Sequence, residues 1–385
     1  MVFYHKMGQL PKKRHTVFRS PNGSLYHEEL IGNEGFSGIS SLLYHISPPT
    51  IVRHAGLIEP HELRASSDPS IRHRHFRTSG LSTGGDPISG RKPLLYNEDV
   101  LLAHVRPTHT ADYYYRNGQA DELIYVAQGT GTLESVFGRI SFRDGDYLIV
   151  PRSIVYRLLL DPGVEHRQFI VESRGVIRTP KRYRNKHGQH IEGSPIYDRD
   201  IRVPEQLETR DEAGEFEVRV KQRGGLHRYV YANHPFDVVG WDGYYYPWAY
   251  SIHDFEPIVG RIHQPPPVHQ VFEGDNFVVC NFCPRLYDFD ENAIAVPYNH
   301  TNAQSDEVIF YASAEFMSRR GIEYGSITLH PDGIAHGPQP GAVEAGLGAK
   351  STDELAVMVD TFRPLIVAEE AKGIEDEEYW KSWLT

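Results

Sequence analysis

Residues 297–311 read PYNHTNAQSDEVIFY, and residues 325–341 read GSITLHPDGIAHGPQPG. DEVIFY and GSITL are short runs rich in β-branched and aromatic residues, with turn-forming Gly, Pro, Asn and Asp nearby, which is typical of strands joined by turns. His300 precedes the first run, and His336 opens a further strand after the Pro-Asp-Gly turn. The pattern predicts neighbouring strands with a histidine at the approach to each.

These segments also carry a candidate metal site. Two imidazoles and one carboxylate on one face of a metal ion suit Fe(II) and O2 chemistry, and they leave three positions open. Zinc accepts the same ligand types, so residue type alone does not identify the metal. The carboxylate is Asp306 or Glu307, because these acids are adjacent and neighbouring residues on a strand point to opposite faces. We therefore predict a site of His300, His336 and one of the two acids.

An earlier part of the chain repeats both segments. Residues 115–126, YRNGQADELIYV, align with residues 300–311, and residues 145–156, GDYLIVPRSIVY, align with residues 325–336. Tyr115 stands in the place of His300, and Tyr156 stands in the place of His336. We expect the same fold twice, with a scaffold domain at residues 1–230 that lacks the ligand histidines and a metal-carrying domain at residues 231–385.

Composition limits the class of protein and its partners. The 385 residues include 34 Gly, 26 Pro and 23 Tyr, which favours strands and turns over long helices. A net charge of −11 argues against a nucleic-acid partner. No apolar run approaches the length of a membrane span, so we expect no membrane association. Two cysteines in the chain indicate a reducing compartment, and we expect a cytoplasmic protein.

Two further motifs suggest metal ligands, but both have simpler explanations. Cys280 and Cys283 resemble half of a zinc ribbon without a second pair, and their apolar surroundings favour a buried strand. Residues 72–75 read RHRH with no carboxylate in the residues that follow, so we expect a solvated basic loop there.

The two opening segments resemble the paired motifs of the cupin family. The first cupin motif is His-x-His, about four residues, then Glu, and residues 300–307 read HTNAQSDE with Asn302 at the second histidine. The second is Gly, five residues, then Pro-x-Gly-x-x-His, and residues 325–336 match every fixed position. The resemblance implies an all-β protein of two cupin-type jelly rolls with a few short helices. It favours Glu307 as the carboxylate.

A closer resemblance is to the homogentisate 1,2-dioxygenase family. It rests on WDGYYYPWAY at residues 241–250, IHQPP at residues 262–266, PYNHTN at residues 297–302 and HGP at residues 336–338. The family's acid follows its first histidine by six residues, a spacing that matches Asp306, so Asp306 stays the alternative to Glu307. The resemblance implies an Fe(II) enzyme that opens the ring of homogentisate, adds both atoms of O2 and forms maleylacetoacetate.

The family resemblance also implies residue roles and partners. His263 matches a histidine that takes the proton of the substrate phenol, with His269 as its rival. Tyr298, Asn302 and His330 are candidates for the substrate pocket. The implied pathway is aromatic amino acid catabolism, and the implied assembly is a homo-oligomer, either a trimer or a hexamer. The alternatives are a dioxygenase of the same plan that acts on gentisate or another hydroquinone, a metal-binding cupin without enzyme activity, and a zinc or nickel cupin isomerase.

Overall fold

The computed structural model describes residues 3–314, 316 and 318–384. Its regular structure is almost entirely strands. Fourteen precede residue 174: β1 (His5–Gly8), β2 (His27–Gly32), β3 (Ser40–His45), β4 (Val52–Pro60), β5 (Arg74–Arg77), β6 (Lys92–Tyr96), β7 (Val100–Val105), β8 (Tyr114–Asn117), β9 (Asp121–Gln128), β10 (Gly131–Ser135), β11 (Gly138–Phe142), β12 (Asp146–Val150), β13 (Tyr156–Leu160) and β14 (Arg167–Ser173).

Twelve further strands follow among the described residues: β15 (Ala213–Gln222), β16 (Gly225–Asn233), β17 (Val238–Gly243), β18 (Trp248–Ser251), β19 (Gln270–Gly274), β20 (Phe277–Phe282), β21 (Arg285–Leu286), β22 (Asp306–Tyr311), β23 (Ser326–His330), β24 (Ser351–Thr352), β25 (Ala356–Thr361) and β26 (Ile366–Val367). One α-helix, α1, spans Ala342–Gly346. Short 3-10 helices span Thr78–Gly80, Lys181–Tyr183, Asp198–Asp200, Ile252–Asp254, Pro266–His269, Glu369–Ile374 and Tyr379–Trp383.

Three large sheets enclose the core. One has the strand order β11-β10-β13-β8-β15-β16-β4, the second has β18-β12-β9-β14-β7-β6-β26, and the third has β19-β20-β25-β22-β23-β5. Their facing sides form one hydrophobic cluster in which Phe169 and Phe310 stack with ring centroids 5.0 Å apart. The all-β cupin fold expected from the sequence is confirmed.

The internal repeat is visible in the strand register. In the first copy β9 pairs with β12 and β14, and in the second copy β22 pairs with β23 and β25. Glu122 faces Val150 and Glu172 across its neighbouring strands, as Glu307 faces His330 and Asp360. The aligned segments therefore occupy the same positions in two similar barrels.

Strands also cross between the two halves of the chain. β5 adds to the edge of the third sheet beside β23, while β18 adds to the second sheet beside β12. Since strands from both sides of residue 230 share sheets, the division into residues 1–230 and 231–385 stays a prediction.

The segment predicted as a solvated basic loop is instead part of this crossing. Arg74 and His75 lie on β5 and are buried, and Arg74 Nη1 donates to both carboxylate oxygens of Glu375 at 2.8 and 2.7 Å. The prediction was wrong because the neutralising acid lies about 300 residues away in the chain. The cysteine prediction is confirmed: Cys280 and Cys283 are free and buried.

Candidate metal centre

An isolated antiparallel bridge, outside the named strands, brings His300 and His336 together. The backbone N–H of each donates to the carbonyl of the other, at 2.8 Å from His300 and 2.9 Å from His336. Their ring centroids are 4.2 Å apart. In the first copy, Tyr115 and Tyr156 make the corresponding antiparallel contact between β8 and β13. The barrel thus places the two aligned positions side by side in both copies.

Glu307 completes the cluster. Its Oε2 lies 3.7 Å from His300 Nε2 and 3.5 Å from His336 Nε2. One ligand atom from each of these three residues lies within 4.8 Å of the others, a spacing that could hold a metal ion. Burial raises the pKa of the Glu307 carboxyl, but the neighbouring histidine side chains outweigh this effect and hold that pKa well below the ordinary value.

Asp306 points away from this cluster. Its carboxylate accepts the backbone N–H of Asp332 at 2.8 Å and the backbone N–H of Leu365 at 2.6 Å. Asp121, its counterpart in the first copy, accepts the backbone N–H groups of Arg152 and Ile177 in the same way. The aspartate ties β22 to its flanking turns, and the glutamate faces the histidines.

The Nε2 atoms of His300 and His336 are suited to bind a metal. His300 Nδ1 lies 3.2 Å from the carbonyl of Tyr298, and His336 Nδ1 lies 3.2 Å from the carbonyl of Ile334. A carbonyl can only accept, so each Nδ1 carries the proton and leaves an Nε2 lone pair for a ligand bond. His336 Nε2 is buried without a hydrogen-bond partner. The donor set therefore fits a cation between the three side chains.

His330 supports Glu307 from behind. It is fully buried, and its Nδ1 lies 2.7 Å from Glu307 Oε1. Burial and the charge of Arg319 lower the pKa of His330 to about 3, so the ring is neutral and its Nδ1–H donates to the carboxylate. The His330 ring also stacks on that of His336, with ring centroids 4.8 Å apart, and its role as a substrate-pocket residue stays a prediction.

A cavity of about 340 Å³ opens on the other side of the cluster. His300 and Glu307 lie in its wall, together with the predicted pocket residues Tyr298 and Asn302. Its apolar surface comes from side chains of several strands and loops, namely Ile258, Val259, Phe282, Val296, Ile309, Phe316 and Met358. A cavity with apolar walls and a few polar groups is the usual form of a small-molecule site.

Both candidate bases line this cavity. The His263 ring meets Tyr298 edge-on at 5.0 Å, and its Nδ1 lies 3.8 Å from Asp288 Oδ2. His269 is buried and its Nδ1 has no hydrogen-bond partner. Burial, with the nearby charge of Arg285, lowers the pKa of His269 to about 3, which makes it a poor proton acceptor near neutral pH.

Asp360 and Arg319 are charged residues of the cavity wall that were not predicted from the sequence. Asp360 faces Glu307 from β25, and burial beside that carboxylate raises the pKa of Asp360 well above its ordinary value. The repeat alignment held a signal for it, because Glu172 faces Glu122 in the first copy. Arg319 is also buried in the cavity wall, and no sequence motif singles it out.

The first copy fills the corresponding position with its own cations. Arg91 donates to Glu122 and Glu172, and Lys221 Nζ lies 2.8 Å from both carboxylate oxygens of Glu172. The Tyr156 hydroxyl donates to Glu122 as well. In the first copy, Arg91 and Lys221 thus neutralise the carboxylates of Glu122 and Glu172. The corresponding acids of the second copy, Glu307 and Asp360, have histidines beside them instead.

Comparison with known proteins agrees with this architecture. A family model described as homogentisate 1,2-dioxygenase N-terminal matches residues 100–252. A Saccharolobus solfataricus protein whose name proposes a dioxygenase is 44% identical over 388 residues, covering 100% of both chains. The homogentisate 1,2-dioxygenase of Bradyrhizobium diazoefficiens is 24% identical over 414 residues, covering 97% of this chain and 90% of that protein.

This chain belongs to the homogentisate 1,2-dioxygenase family. The Nitrobacter hamburgensis homogentisate 1,2-dioxygenase is also 26% identical over 421 residues, with 98% of this chain covered and 90% of that protein. Among solved structures, a cupin 2 conserved barrel domain protein from Leptotrichia buccalis has a TM-score of 0.34 at 7% identity, covering 77% of this chain and 99% of that one. The chain is thus a member of a dioxygenase family. Within the part of the chain that is described, no helix has the length and apolar character needed to span a membrane.

Proposed function

We propose that the protein is an Fe(II)-dependent dioxygenase that converts homogentisate and O2 to maleylacetoacetate, with both oxygen atoms entering the product. The observation that carries this proposal is the convergence of His300, Glu307 and His336 beside a cavity of about 340 Å³. Similarity to proteins named homogentisate 1,2-dioxygenase supports the choice of substrate.

The donor set supports the choice of metal. Two neutral imidazole nitrogens and one carboxylate form the facial set typical of non-haem Fe(II) oxygenases. When bound, Fe(II) would supply open positions for the substrate and O2 and the electron transfer that lets O2 react with an aromatic ring. His300 and Glu307 reach the cavity directly, so a metal held by them would border the space for substrate.

We assign His263 as the group that takes the proton of the substrate hydroxyl. It lines the same cavity as His300, and imidazole is the commonest general base near neutral pH. His269 is the weaker candidate, because burial lowers its pKa to about 3. Phe282, Ile309 and Met358 offer apolar surface for the substrate ring and exclude water from it.

Compartment, pathway and assembly complete the proposal. A cytoplasmic enzyme of aromatic amino acid catabolism that works as a homo-oligomer follows from the family resemblance and the low cysteine content. Light scattering on the purified protein would distinguish a trimer or hexamer from a monomer of 43.9 kDa.

O2 consumption by protein loaded anaerobically with Fe(II) tests the reaction. Homogentisate, gentisate and hydroquinone are offered in parallel, and the product is identified by mass. We expect uptake with homogentisate and a ring-opened product that contains both atoms of labelled O2. O2 uptake with gentisate or hydroquinone but not with homogentisate would support the metal site and contradict the proposed substrate. A protein that holds Fe(II) and consumes no O2 with any of them would contradict the proposal.

A further inference from the structure

The carbonyl of Gly337, the residue after the proposed ligand His336, accepts two side-chain hydrogen bonds. Arg319 Nη1 donates to it at 2.7 Å, and the indole Nε1 of Trp383 donates at 3.2 Å. Arg319 comes from the segment after β22, whereas Trp383 comes from the C-terminal 3-10 helix. Two distant parts of the chain thus hold one peptide group beside a proposed metal ligand.

The same helix makes a second polar contact with this segment. Gln339 Nε2 donates to Ser382 Oγ at 2.6 Å. Residues 337–339 therefore meet the helix Tyr379–Trp383 at two successive side chains, Ser382 and Trp383. Residues 337–339 form no strand, and these bonds hold the segment together with the backbone N–H of Gln339, which donates to the Ser318 carbonyl at 3.1 Å.

Trp383 also packs at the back of the histidine cluster. Its ring centroid lies 5.0 Å from that of His73 and 6.4 Å from that of His330. His73 in turn meets both His330 and His336 edge-on, at 5.4 and 6.0 Å. Trp383 does not line the cavity, so it has no route to the substrate. Besides Tyr379 on its own helix, its ring contacts are with His73, His330 and Arg319 around the site.

We infer that the C-terminal helix Tyr379–Trp383 is a positioning element for the metal centre, with Trp383 holding the Gly337–Pro338 peptide, directly after His336, in place. This inference rests on the proposed metal site. The antiparallel bridge with His300 fixes the N–H and C=O of His336. The next carbonyl, that of Gly337, accepts from Arg319 and Trp383, and a shift of the Gly337–Pro338 peptide would turn the neighbouring His336 ring away from Glu307.

Metal titration of the full-length protein tests the inference. Anaerobic calorimetry measures the affinity for Fe(II), and the visible absorption of bound Co(II) reports the ligand geometry. We expect Trp383→Phe, which keeps a ring and loses the N–H donor, to weaken Fe(II) binding about fivefold to tenfold and to change the Co(II) spectrum. The matched control is Trp380→Phe on the same helix, where the side chain is 44% exposed, and it should bind like wild type.

A second variant guards against a folding defect. Ser382→Ala removes only the acceptor for Gln339, and we expect it to weaken Fe(II) binding about twofold to threefold. If Trp383→Phe and Ser382→Ala both bind Fe(II) as wild type does, with an unchanged Co(II) spectrum, the positioning role is refuted while the metal site stands. If wild type itself binds neither metal, the proposed function fails first.

Discussion

His330 Nδ1 lies 2.7 Å from Glu307 Oε1, on the strand that pairs directly with that of the glutamate. The Nδ1–H of the neutral histidine donates a hydrogen bond to Oε1, and Oε2 is directed toward His300 and His336. The bond orients the carboxylate without a contact between His330 and the cavity. A carboxylate fixed in this way loses less freedom when it binds a metal.

His330→Ala should lower metal affinity about 10- to 100-fold, because Glu307 loses the donor that fixes its orientation. The measurement is Fe(II) or Co(II) titration by calorimetry. The control is His253→Ala, an exposed histidine beside Gly145 of the first copy, which should leave the affinity unchanged. Equal loss in both variants would show a general defect and contradict the positioning of Glu307 by His330.

Replacement of each of the two adjacent acids, Asp306 and Glu307, by its amide should separate their roles. Glu307→Gln should abolish metal binding, because a neutral amide replaces the carboxylate that faces His300 and His336. Asp306→Asn should keep the metal and lower the free energy of unfolding by about 1–3 kcal/mol, since two backbone N–H groups lose a charged acceptor. Metal content and urea unfolding measure the two effects. The reverse pattern would make Asp306 the ligand.

Arg91→Met should destabilise the protein by about 3–5 kcal/mol, because it leaves the buried carboxylates of Glu122 and Glu172 without one of their cations. Urea unfolding with metal removed measures the loss. Arg53→Met, at an exposed pair 3.7 Å from Glu215, should cost less than about 1 kcal/mol. A change of similar size in both variants would contradict a stabilising role for the buried charge cluster of Arg91, Glu122 and Glu172.

His45 should make stability depend on pH between about 6.5 and 9. Burial opposes its charge, but hydrogen bonds to Asp237 at 2.7 Å and Glu29 at 3.0 Å prevail and raise the pKa of His45 to about 9. The folded state therefore binds the proton more tightly, so the stabilisation is complete below pH 6.5 and disappears as the pH rises through 9.

Replacement of this histidine measures the effect. Wild type should lose on the order of 3 kcal/mol from pH 6.5 to pH 9 relative to His45→Gln, as followed by urea unfolding at each pH. His54→Gln, at an exposed position on β4, should keep the wild-type dependence on pH. A parallel decline in wild type and His45→Gln would assign the pH dependence to other groups.

The repeat, the strands and the proposed metal ligands could all be predicted from the sequence alone. Alternation along a strand and the spacing of turn residues are local properties, so residues 300–311 and 325–336 predicted the strands Asp306–Tyr311 and Ser326–His330. The further strand expected to open at His336 is instead an isolated bridge between His336 and His300. The alignment with residues 115–126 and 145–156 predicted equivalent positions for Tyr115 and Tyr156, and the shared strand register confirms it.

Only the tertiary structure distinguished Asp306 from Glu307. Local alternation places the two acids on opposite faces of a strand but does not say which face meets the histidines. The answer comes from the pairing of β22 with β23 and β25, which turns Glu307 toward the cluster and Asp306 toward backbone donors.

The residues around the site depend on contacts between distant parts of the chain. His73 and Arg74 looked like parts of a solvated basic loop because Glu375 and Trp383 follow them by about 300 residues. Asp360 becomes an acid beside Glu307 only when β25 joins the sheet. Spacing in the sequence decides which groups lie on one strand, and the packing of strands and the C-terminal helix decides which groups surround the metal centre.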